Sequence, residues 1–290
     1  WLTNSYPDFR DFDASVKEEG HFHFAKLLAE SEENVYSLKK FLSTYTNDSS
    51  TLVISAESMV RHVASGSYEK ISEARTDYIN RIKNSLPSDE ITVVASLRNP
   101  YKLIESYYQE FLKKTFFTGN LDNYLNKFFM QYDPLNTLLA WGDIFTNVSL
   151  RSYEDDLKHE KGIVGAFCEQ ANQSFQPESR APRKNVSLSK LSCDILSKVN
   201  YLLQAEGKKT AVLNELHDYS SLNVDEGVET LWTKETAFLL EGKFLNDFES
   251  LEKRFNAGLS KGIPYSSFSK KYSNESLEIV TERLSKHIKF

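Results

Sequence analysis

Two periods of apolar residues alternate along this chain. Three short runs have the length and bounds of strands: Thr51-Leu52-Val53-Ile54-Ser55, the β-branched Ile91-Thr92-Val93-Val94, and Asn147-Val148-Ser149-Leu150-Arg151. Elsewhere the spacing is helical. A helix starts within Gly20–Leu28, and Glu32 to Tyr45 places Val35, Leu38, Phe41 and Leu42 on one face. A polar helix is predicted from about Tyr68 to Ser85, followed by helices at Leu121–Gln131 and at Pro134–Phe145, the latter carrying Leu135, Leu138 and Trp141. Beyond a third strand the pattern is almost wholly helical: Gly162–Asn172, a helix capped by Asn185–Ser189 that runs to Asn200, then Trp232–Leu240, Phe244–Phe255 and Asn274–His287. Strands in the first half and helices from about residue 155 onward predict an α/β protein with a largely helical C-terminal half. With no repeat or low-complexity linker, residues 1–290 read as one domain.

The stretch from Ile91 to Lys114 organises this pattern. Its strand ends at Ser96-Leu97-Arg98, Asn99-Pro100 makes the turn, and Pro100 occupies a helix start that tolerates its missing N–H. Leu103, Ile104, Tyr107, Tyr108, Phe111 and Leu112 then follow at helical spacing. Arg98 therefore lies at the carboxyl end of a strand, where open α/β sheets bind ligands. A planar bidentate donor beside oriented helix N–H groups suits a phosphate or sulfate. The same arginine equally suits a structural pair with a carboxylate.

Composition narrows the function. The 290 residues include 40% hydrophobic and 26% charged residues, enough for a sizeable core in a water-exposed chain. A net charge of −6 argues against general nucleic-acid binding, while leaving room for a local basic pocket. No apolar run is long enough for a transmembrane segment. Trp1-Leu2-Thr3-Asn4 followed by Tyr6-Pro7-Asp8 does not read as a signal peptide. Cys168 and Cys193 read as small core residues in a reducing compartment, so a cytoplasmic protein is expected.

Leu97-Arg98-Asn99-Pro100, with Ser106 eight residues after the arginine, resembles the 3′-phosphate-binding segment of sulfotransferases that use 3′-phosphoadenosine 5′-phosphosulfate (PAPS). More thinly, the likeness extends to the Leu- and Trp-containing segment Leu138–Glu154, ending in Arg151-Ser152-Tyr153-Glu154. It also touches the apolar helix at Ile163, Asn185–Ser189 with Asn200, and Tyr6-Pro7 ahead of a His-rich helix start. Over these segments the chain is similar to bacterial carbohydrate-type sulfotransferases. The resemblance implies a P-loop-type fold, a central parallel sheet flanked by helices, with PAPS as cofactor. It further implies Arg98 and Ser106 as ligands of the 3′-phosphate, and a carbohydrate or glycolipid hydroxyl as acceptor.

The family's 5′-phosphosulfate loop, of the form Lys-Thr-Gly-Thr-Thr, is expected a short helix upstream of Tyr6-Pro7, before the first residue of this sequence. Glu206-Gly207-Lys208-Lys209-Thr210 is a poor substitute, because it follows a helix and lacks the first glycine, and a helix-end turn is the better reading. Sulfuryl transfer needs an in-line acceptor, cationic stabilisation and a base. Glu57, directly after a predicted strand, is the favoured base; it could equally cap the next helix or pair with Arg61. His23 and His21 are the runners-up, or else cap and surface residues. Lys113 and Arg151 are candidate substrate contacts, against readings as a solvated lysine and a structural arginine. No metal is expected, since His21 and His23 two apart fall on different helix faces. The rival expectation is a non-catalytic sulfotransferase-like module that binds a carbohydrate or protein partner. A kinase or glycosyltransferase is a weaker one.

Overall fold

The computed structural model describes residues 4–5, 22–46, 51–54, 59, 68–128, 133–170, 187–222, 224, 226, 228–259, 262–268 and 271–288. It is a mixed α/β structure made mostly of helix. The strands are β1 (Asn4–Ser5), β2 (Thr51–Leu52), β3 (Thr92–Leu97) and β4 (Asn147–Ser152). β1 pairs with β2 in parallel, Asn4 opposite Thr51 and Ser5 opposite Leu52, and β3 pairs with β4. Among the described residues the strands thus form two ribbons, and no sheet runs through all of them. β1 is two polar residues with no strand propensity of their own, so its pairing is imposed by its neighbour β2.

The chain folds into two compact units. The first holds residues Trp1–Ala95, Met130–Leu150 and Ser250–Ala257. Its helices are α1 (Phe22–Glu30), α2 (Glu33–Ser43), α3 (Tyr68–Ser85) and α6 (Pro134–Ile144). α6 starts where Asp133 accepts N–H bonds from Leu135 and Asn136, with Pro134 next in line. Leu28, Leu38, Leu42, Ile79, Trp141 and Phe145 make one core cluster from these helices. Two polar ties join these helices, one buried and one exposed: Tyr78 donates to the Ala25 carbonyl at 3.0 Å, and Lys83 to the Ile144 carbonyl at 3.0 Å.

The second unit holds Ser96–Phe129, Arg151–Glu249 and Gly258–Phe290. It contains α4 (Pro100–Lys114), α5 (Leu121–Phe128), the short α7 (Tyr153–Asp156), α8 (Gly162–Gln170), α9 (Lys190–Glu206), α10 (Lys209–Ser221) and α12 (Asn274–Leu284). α11 (Lys234–Phe255) contributes its residues through Glu249. α9 and α12 begin at serine caps, Ser189 on Ser192 N and Ser273 on Ser276 N. α9 ends at Gly207, whose φ of +64° is the left-handed conformation that favours glycine. This is the helix-end turn expected at Glu206–Thr210. Beyond the last turn of α4, the Lys209 ammonium donates to the Leu112 carbonyl at 2.8 Å and to that of Thr115, a cation at the negative end of the helix. Asn200 donates to the Phe117 carbonyl at 2.8 Å.

Leu38 has no exposed surface in the first unit's core, whereas Tyr36 on the same helix is 77% exposed. Leu38→Ala should lower unfolding free energy by roughly 2–5 kcal/mol. Tyr36→Ala should change it by about 0.5 kcal/mol or less. Urea denaturation measures both, and equal effects would refute this core assignment.

Candidate anion-binding site

The site grows from the turn between β3 and α4, within the second unit. Asn99 is the N-cap: its side-chain oxygen accepts from Tyr101 N at 3.1 Å, and its carbonyl accepts from Leu103 N at 2.9 Å. Its amide nitrogen donates to the Gly262 carbonyl at 3.0 Å, where Gly262 turns with φ of +78°. The backbone N–H of Asn99 points at the Glu154 carboxylate, 3.0 Å from one oxygen and 3.3 Å from the other. The first turn of α4 is therefore largely satisfied by the protein's own groups. Sequence reasoning had offered those N–H groups to a ligand; Glu154 and Asn99 already hold two of them.

Arg98, half-buried, is left with a different environment. Its guanidinium lies over the Tyr153 ring, 5.7 Å from the centroid, and makes no ion pair or hydrogen bond with any described residue. Glu154, which follows that tyrosine in the chain, is turned to Asn99 instead. Ser106, in the second turn of α4, is also half-buried, and its hydroxyl has no hydrogen-bond partner among the described residues. A planar cation fixed against an aromatic face, followed on the next helix by an unengaged hydroxyl, is an arrangement suited to an oxyanion.

Behind this pair sits a charged centre that the sequence reading missed. Glu105 is only 3% exposed. One of its oxygens accepts from the Thr230 hydroxyl and from Leu231 N at 2.6 Å, and the other pairs with the Lys190 ammonium at the start of α9. The Tyr265 hydroxyl interacts with both this carboxylate and the Arg98 charge. Burial first, then the Glu105 carboxylate, pushes its hydroxyl pKa up, and Arg98 pulls the other way. The signal was present in the sequence, since Glu105 interrupts the apolar stripe of Tyr101, Ile104, Tyr108 and Leu112. A carboxylate in such a stripe must have buried partners.

The remaining candidates lie elsewhere. Lys113 pairs with Glu110 one turn back on α4, and Arg151 pairs with Asp156 at 2.8 Å. Asp156 also accepts from the Ser96 hydroxyl at 2.7 Å, so Arg151 braces the end of β4 against the end of β3. Glu57 and His21 lie outside the described residues; His23 falls on α1, with its side chain outside them too. No group of three or more His, Cys, Asp or Glu suited to a metal occurs among the described residues. No described helix is long and apolar enough to cross a membrane. Comparison of the chain with protein-family models, with curated proteins and with solved structures returns no match.

Two predictions follow from these charges. Glu105→Ala leaves Lys190, with a side chain 21% exposed, without its counter-charge, and should cost roughly 3–5 kcal/mol of stability. The double change Glu105→Leu with Lys190→Met should cost clearly less than Glu105→Ala, and denaturation showing additive losses would refute the coupling. His217 on α10 is held below its ordinary pKa of 6.5 first by burial and then by the Lys113 ammonium. The unfolded chain takes up that proton more readily, so this contribution is full above about pH 6.5 and is lost as pH falls through the lowered folded value. His217→Gln should flatten the stability difference between about pH 7.5 and about pH 5.5, and an unchanged difference would contradict the assignment.

Proposed function

We propose that the protein is a PAPS-dependent sulfotransferase-like protein and that Arg98 and Ser106 hold the 3′-phosphate of the nucleotide. The observation that carries this reading is their shared lack of an internal partner. A half-buried arginine without a carboxylate is costly unless water or a ligand meets it, and Ser106 follows it on the adjoining helix. The residues fit an oxyanion, since no described carboxylate competes for Arg98.

Bound PAPS supplies the sulfuryl group. The chain's own contribution at this end of the nucleotide is positional. Arg98 donates two parallel N–H bonds to phosphate oxygens, with the Tyr153 ring limiting the swing of the guanidinium. The Ser106 hydroxyl donates to the same phosphate. Asn99, fixed by Glu154, Gly262 and Tyr101, sets the start of α4 and so the spacing of the two donors. Holding the nucleotide in one pose is what an in-line transfer to an acceptor hydroxyl requires. The resemblance supports a carbohydrate or glycolipid acceptor, and the order strand–Arg–Asn-Pro–helix supports the nucleotide.

Adding 3′-phosphoadenosine 5′-phosphate at about a hundred times its dissociation constant should stabilise the protein by about 2.7 kcal/mol, read as a rise in Tm. Arg98→Ala should abolish the rise, and Ser106→Ala should reduce the binding energy by roughly 0.5–1.5 kcal/mol. A full rise in Arg98→Ala would refute the phosphate role.

A further inference from the structure

Glu229 lies on the surface, immediately before the two residues that hold Glu105. One of its carboxylate oxygens accepts from Ser266 N at 2.8 Å and from Ser267 N at 3.0 Å, and the other accepts from the Ser266 hydroxyl. Those donors, the hydroxyl first and then the two backbone N–H groups, hold the carboxyl below the ordinary carboxylate range, so it is ionised at neutral pH. Exposed bonds of this kind add little to global stability, because water competes for every group in them. What they fix is position: the span 262–268 is pinned at Ser266 and Ser267 to residue 229.

The pinned span also meets the Arg98 turn. Its Gly262 carbonyl accepts from the Asn99 side-chain amide at 3.0 Å, and its Tyr265 hydroxyl interacts with the Glu105 carboxylate and with the Arg98 charge. Asn99 follows Arg98 in the chain and caps α4. On the inner side, the Thr230 hydroxyl and Leu231 N grip Glu105, which directly precedes Ser106 on α4. Residues 229–231 therefore clasp two parts of the second unit at once: the helix that carries Ser106, and the span that touches the Arg98 turn. The bonds to Glu105 are buried, whereas those of Glu229 are exposed. Glu229 is thus the side of the clasp that can open without unfolding the rest.

We propose that Glu229 is a positioning residue of the anion site. By pinning 262–268 it holds Asn99, and through Asn99 the start of α4, in the geometry that lets Arg98 and Ser106 meet one phosphate. The inference rests on the nucleotide reading of Arg98 and Ser106, and one set of titrations separates the two. The probes are 3′-phosphoadenosine 5′-phosphate and adenosine 5′-phosphate, added to the wild type, Glu229→Ala and Glu229→Gln. Glu229→Ala removes the acceptor for Ser266 and Ser267 and should weaken the first nucleotide by roughly fivefold or more, leaving the second nucleotide and the urea midpoint unchanged. A glutamine can offer its oxygen to the two N–H groups and its amide to the Ser266 hydroxyl, so Glu229→Gln should restore most of the preference. Equal binding of both nucleotides by the wild type would overturn the nucleotide reading and this inference with it. With a wild-type preference in place, the role of Glu229 is overturned, and that of Arg98 stands, if Glu229→Ala keeps the preference, loses affinity for both nucleotides alike, or is not rescued by glutamine.

Discussion

A carboxylate placed in the apolar face of α4 is the constraint from which the rest of the second unit follows. A buried charge without partners is far too costly to survive folding. Glu105 therefore draws three groups to itself: the Lys190 ammonium, the Thr230 hydroxyl and the Leu231 N–H. The first fixes the start of α9, and the others fix the segment that leads into α11. Thr230 passes the order onward by accepting from Trp232 N at 3.1 Å, and the Trp232 indole donates back to the Tyr101 carbonyl at 3.2 Å. Tyr101 in turn packs edge-on against Trp232 and Phe244, with centroids 5.1 Å apart in each case. One charge and one aromatic trio hold α4 in place.

That arrangement explains why Arg98 is unengaged. Three described acids of this unit already have an occupation. Glu105 is matched by Lys190, Glu154 by Asn99, and Asp156 by Arg151 and Ser96. An arginine with no acid paired to it among the described residues retains its capacity for an external anion. The internal pairs are closed, and the group left open defines the chemistry a ligand must bring.

Much of this was legible in the sequence. α3 begins at Tyr68 and ends at Ser85 as the periodicity predicts, β4 falls on the strand expected at Asn147–Arg151, and the Asn99-Pro100 turn starts α4 where a cap and a proline require. One break was misread. Glu241-Gly242-Lys243 suggested two helices, but α11 runs unbroken from Lys234 to Phe255. Burial of Ala237, Phe244 and Phe248 along one face outweighs the cost of a helical glycine, about 1 kcal/mol. Side-chain pairing was harder to foresee. Arg98, Arg151 and Lys113 look alike as strand-end or helix cations, and only their tertiary neighbours separate them. Lys113 and Arg151 find acids, and Arg98 finds a tyrosine ring. Lys190, far from α4 in sequence, carried no local signal of its role.

The most direct test compares two nucleotides that differ by one group. Calorimetric titration with 3′-phosphoadenosine 5′-phosphate and with adenosine 5′-phosphate isolates the 3′-phosphate contribution. If Arg98 and Ser106 hold that phosphate, the first nucleotide binds at least about tenfold tighter, and Arg98→Ala brings the two affinities together. Equal affinities in the wild-type protein would contradict the account.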